Sequence, residues 1–116
     1  MNRGDLFFIV FIFTILLVRT GVFLFPENKL RIFGTVIHHF FIGIILIFIA
    51  LLLLMKYPDL RFILFSVGLG VVADEFFYMI LGAGPVSKYW DVYSLTGVVL
   101  NSFIVFLIRE KIAGKI

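Results

Sequence analysis

Residues 62–81 read FILFSVGLGVVADEFFYMIL. A run of this length suffices for a helix to cross a hydrocarbon core about 30 Å thick. Asp74 and Glu75 are its only charges, so the stretch reads as a transmembrane helix with two acids inside it. Working outward, three more apolar runs appear: Leu6 to Phe25, Thr35 to Met55, and Val92 to Ile108. Each lies in or near the range of about 17–25 residues expected of a span. Pro26, Pro58 and Pro85 all fall between runs. Proline removes a backbone donor that lipid cannot replace, so its placement supports the same three loops. Four spans with short connections predict an all-α, integral membrane, up-and-down four-helix bundle, with residues 1–116 as a single transmembrane domain.

Composition agrees. The chain has 116 residues, of which 63% are hydrophobic and 15% charged, against about 45–50% and 25% in soluble domains. A globule this small has too much surface to hide that much apolar side chain, which excludes a water-soluble monomer. Ten Lys and Arg stand against seven acids without forming a basic stripe, so nucleic acid is not an expected partner. The absence of cysteine excludes a disulfide framework, a thiolate zinc site and a Cys nucleophile. The lipid bilayer is the partner that composition demands.

Asn2-Arg3 precedes an apolar stretch, as in a secretory leader, but no small-residue cleavage site follows; the segment reads as a retained helix. Lys and Arg set the orientation. Arg3, Lys56, Arg61, Arg109, Lys111 and Lys115 lie on one side, against Lys29, Arg31 and Lys88 on the other. The bias places both termini in the cytoplasm, with the first and third loops outside. The basic tail from Arg109 is expected to continue the last helix into the headgroup zone, where it can meet anionic lipid.

Ionisable residues inside a span cost about 2.5–3.5 kcal/mol each on insertion scales. Five lie well inside: Arg19, His38, His39, Asp74 and Glu75. Counted at about 1.5 Å per residue, all five fall roughly 5–11 Å below the outer boundary, so three helices deliver polar residues to one layer. The last helix opens at the same end with Trp90-Asp91-Val92-Tyr93-Ser94, and Asp91 suits its N-terminus. Helical spacing aligns Ser66, Gly70, Asp74 and Tyr78 on the third span, Ser94, Gly97 and Asn101 on the fourth, and Thr35, His39 and Gly43 on the second.

Two histidines and two carboxylates are ligand types for a divalent metal such as zinc, iron or manganese, making His38, His39, Asp74 and Glu75 candidate metal ligands. Adjacent helical residues point about 100° apart, however, so neither pair has the spacing of a shared-face motif. The second reading is acid/base catalysis by the same four residues, with Arg19 holding an anion such as a lipid phosphate. Tyr78, Asp91 and Ser94 would stand behind them. On either reading the substrate is a lipid-linked or membrane-embedded amphiphile. A competing class is proton or cation transport, which would require a homo-oligomer to enclose a path. The third is an accessory subunit, in which Arg19 is merely the counter-ion of Asp74 or Glu75 and the layer fixes helix register. Trp90, Tyr89 and Tyr57 read as interface aromatics, and Asn101 as a helix–helix hydrogen bond.

Ile37-His38-His39, the Gly-x-Gly-x-x-x-Asp-Glu run from Gly68 to Glu75, and Tyr89-Trp90 together resemble small polytopic membrane proteins of prokaryotes. The resemblance runs from Ile37 to the C-terminus. It implies a prokaryotic plasma membrane and carries no assigned activity. Asp74-Glu75 followed by Asp91-Val92 and Gly97 is also similar to VanZ-like proteins, without the Gln and Arg expected between those carboxylates. Length and span count resemble the small multidrug resistance transporters, but their first-helix carboxylate has no counterpart here, where that span carries Arg19.

Overall fold

The computed structural model of the chain describes residues 2–24, 30–32, 35–37, 39–80, 90 and 92–116. Four helices carry it: α1 (Arg3–Leu24), α2 (His39–Leu53), α3 (Pro58–Ile80) and α4 (Val92–Lys115). Two short strands separate α1 from α2. In them β1 (Leu30–Ile32) pairs antiparallel with β2 (Thr35–Ile37), with Leu30 opposite Ile37 and Ile32 opposite Thr35.

Helix starts follow local chemistry. The Asn2 side chain caps α1, its Oδ1 accepting the Asp5 N–H at 2.8 Å. Pro58 opens α3 at the position where its missing N–H costs nothing, and Asp59 in the first turn suits the helix dipole. The third helix therefore begins four residues before the expected Phe62. Pro26 and Pro85 lie outside the described residues. At the other end of the chain, α4 runs through the basic tail to Lys115.

Three helices, α1, α3 and α4, are long and apolar enough to cross a membrane. The second departs from expectation. A span over 35–55 was predicted, yet α2 has 15 residues, about 22 Å of helix against a core of about 30 Å. Thr35, Val36 and Ile37 are β-branched, stiff at χ1 and suited to extended backbone. They pair with β1 instead of continuing the helix, which shortens the second span within an all-helical architecture and removes Thr35 from the stripe of His39 and Gly43.

Among the described elements α3 is the hub: it packs against α1, α2 and α4, and α1 also packs against α4. Close approach needs glycine at two of these seams. A Cβ on Gly70 would stand 2.9 Å from the Phe11 carbonyl oxygen, so α1 lies directly on α3 there. Gly43 of α2 and Gly68 of α3 meet in the same way. The seam with α4 has Gly97 under the Phe77 ring and Asn101 Nδ2 donating to the Ala73 carbonyl at 3.2 Å. Asn101 is thus the interhelical hydrogen bond its sequence position suggested.

At the end holding both chain termini, Phe7, Phe62 and Ala113 form one buried cluster, with Leu69 and Val105 against it. Phe11, Ile15 and Ala73 form the next cluster along the axis. Arg109 Nε also donates to Asp5 Oδ1 there at 2.9 Å, joining α4 to the start of α1.

Candidate functional site

Opposite the termini lies a buried layer. Arg19 stands five residues before the end of α1 and Asp74 six before the end of α3, and the parallel course of the two helices brings them level. Arg19 Nε donates to Asp74 Oδ1 at 2.7 Å. Its Nη2 donates to the Asp74 carbonyl oxygen at 3.2 Å and reaches Ser94 Oγ of α4 at 3.4 Å. Asp74 is 0% exposed and Arg19 8%. One guanidinium therefore ties three helices together through a charge-assisted pair. The sequence offered Arg19 as an anion holder or as the counter-ion of Asp74 or Glu75, and the pairing made here is with Asp74.

Glu75 faces elsewhere. It is adjacent to Asp74 on a helix and so turns about 100° away, toward α2. Its Oε2 accepts the Phe40 N–H at 3.3 Å, and the residue is 3% exposed. Phe40 carries one of the first-turn N–H groups that no helical carbonyl satisfies. A carboxylate there supplies the missing acceptor and meets the positive end of the helix dipole. Of the two neighbouring acids, Asp74 bonds the arginine and Glu75 bonds the start of α2.

The stripes expected on the third and fourth spans are observed. Ser66, Gly70, Asp74 and Tyr78 are all buried on α3, as are Ser94 and Gly97 on α4. Ser94, expected to stand behind the site, touches Arg19 directly. Tyr78 is buried one turn beyond Asp74. His38, Tyr89 and Asp91 lie outside the described residues, and His39 is described as the first residue of α2 by its backbone alone. Among the described residues, no group of three or more His, Asp or Glu side chains is placed to hold a metal ion.

Two members were not recognised from sequence. Trp90 read as an interface aromatic, yet its ring covers the guanidinium, with Arg19 Cζ 5.2 Å from the ring centroid, and meets Phe23 edge-on. Its place four residues before Ser94 was the available signal. The Phe40 N–H carries no side-chain signature and follows only from where α2 begins.

Below the layer, toward the termini, the buried polar side chains among the described residues are Thr14 and Ser66. Each hydroxyl donates to the carbonyl four residues back in its own helix, Val10 and Phe62, at 2.8 Å. No protein-family model, curated protein or solved structure matches the chain, so a reading of its function rests on this polar layer.

Proposed function

We propose that the chain is a small membrane protein with alternately up and down helices and cytoplasmic termini. Its outer-leaflet layer carries an acid/base site, formed by Glu75 with His38-His39, that acts on the polar head of a membrane amphiphile. One observation carries the reading: Glu75 Oε2 bonds the N–H of Phe40, the residue after the His pair, while Arg19 engages Asp74. Asp74 is then the counter-ion that holds the helices, and Glu75 is the acid bonded to the residue that follows the imidazoles in sequence. Proximity of a carboxylate to imidazole in a poorly hydrated layer is what general acid/base chemistry requires.

The apolar clusters between this layer and the termini favour a site open on one side over a transport path. A packing role is the second reading, favoured by the way Arg19 links α1, α3 and α4.

Histidine resonances of the reconstituted protein, followed from about pH 4 to pH 9, distinguish the two. For the acid/base site, at least one imidazole titrates and its midpoint moves in Glu75→Gln. Histidines whose titration is indifferent to Glu75→Gln would leave the packing role. Stoichiometric zinc, iron or manganese in wild type, lost in Glu75→Gln, would replace acid/base chemistry by a metal centre.

A further inference from the structure

We infer that the groove between α3 and α4 is the docking surface for a second copy of this chain, centred on a reciprocal Asn101–Asn101 pair. The groove has a volume of about 180 Å³, opens along one side, and is lined by Leu69, Val72 and Phe76 of α3 with Ile104 and Val105 of α4. It exceeds the roughly 150 Å³ of a cavity that admits a benzene ring, so it has room for a bulky side chain. Val72 also meets Gly43 of α2, so the groove runs along α3 between its contacts with α2 and with α4.

Asn101 selects the occupant. It is the polar residue of that lining, and its one hydrogen bond among the described residues runs from Nδ2 to the Ala73 carbonyl. A carboxamide has two N–H donors and a carbonyl acceptor, so one donor and the acceptor remain for a further partner. Asn101 stands nine residues into the 24-residue α4, near mid-membrane. Water is scarce there, and a hydrocarbon chain offers neither donor nor acceptor. A second copy related by a twofold axis along the membrane normal offers both, because each spare N–H can meet the other's carbonyl. Beside Asn101, Leu100 and Ile104 form an aliphatic ridge, 49% and 47% exposed, that can enter the partner's groove.

The test uses the absence of native cysteine. Full-length Leu100→Cys and Ile104→Cys variants, reconstituted in phosphatidylcholine vesicles at high lipid excess, should cross-link on oxidation. Phe13→Cys, exposed on α1, should not. Sedimentation in mild detergent should give twice the 13.3 kDa chain mass. Asn101→Leu should weaken dimerisation about threefold or more, the range of interhelical hydrogen bonds in bilayers. Because Asn101→Leu also removes the bond to Ala73, the double variant Leu100→Ala/Ile104→Ala is measured beside it; it should dimerise less with helicity unchanged. Cross-linking at Leu100 and Ile104 no stronger than at Phe13 would overturn the proposal and leave the groove to lipid. Dimerisation indifferent to both the asparagine and the ridge variants would overturn it equally.

Discussion

Gly43 and Gly68 meet backbone to backbone. A Cβ on Gly43 would stand 2.8 Å from the Gly68 carbonyl oxygen, and one on Gly68 would stand 2.9 Å from that of Gly43. Side-chain carbons do not approach carbonyl oxygens that closely, so the seam between α2 and α3 is reserved for glycine. The same seam sets where Phe40 meets Glu75, two turns away on α3.

Alanine at either glycine should therefore push α2 off α3. The expected cost is on the order of 1–3 kcal/mol, as for other overpacked sites, read from denaturant unfolding in mixed micelles. Gly21→Ala provides the contrast: nothing lies within 4 Å of its added methyl. With the helix propensity of alanine, that change should be neutral or stabilising by up to about 1 kcal/mol. Equal losses at Gly21 and Gly68 would show that the seam is not tight.

Arg19→Leu leaves the Asp74 carboxylate without the guanidinium that pairs with it, and Asp74→Asn removes the negative charge facing the arginine. Breaking a buried pair from one side costs about 3–5 kcal/mol. Each single variant should thus unfold at markedly lower denaturant, and the double variant Arg19→Met/Asp74→Leu should recover most of the loss. A double variant no better than the singles would mean the pair does more than neutralise itself.

Glu75 separates fold from chemistry. Glu75→Gln keeps an oxygen that can accept the Phe40 N–H, so stability should change by no more than about 1 kcal/mol. Glu75→Ala removes the acceptor from a half-buried N–H and should cost more than Glu75→Gln, about 1–2 kcal/mol. Similar stabilities for the two would show that the hydrogen bond to α2 is dispensable.

Orientation is open to the same cysteine-free background. Asn2→Cys and Lys56→Cys should resist a membrane-impermeant maleimide added to intact cells, and Lys88→Cys should react. The reverse pattern would invert the chain and move the Arg19 layer to the cytoplasmic leaflet.

Much of this was legible from residues alone. Apolar run lengths located α1, α3 and α4, because crossing lipid forces an uninterrupted helix and a helix of that length has one arithmetic. Depth counting aligned Arg19 with Asp74 for the same reason: level residues on neighbouring helices meet. The second run misled because Val36 and Ile37 are as apolar as the helix residues that follow them, and Thr35 is only weakly polar. Hydropathy cannot separate a β-branched strand from a short stretch of span. Which acid would take the arginine was equally hidden, since Asp74 and Glu75 differ only by the rotation of α3. The role of Trp90 depended on a contact made through space, whereas an interface belt is a statistical expectation.

The Arg19–Asp74 pair also orders events during synthesis. Its members lie 55 residues apart in the chain, so on the proposed membrane topology α1 reaches the bilayer before the segment that carries its counter-ion. For that interval Arg19 carries an insertion penalty of about 2.5–3.5 kcal/mol, borne by the apolar remainder of α1. Integration of α3 then delivers Asp74 and relieves the penalty. A nascent chain stalled before residue 74 would hold α1 in a provisional position, and the arrival of the third helix would convert it into a committed one.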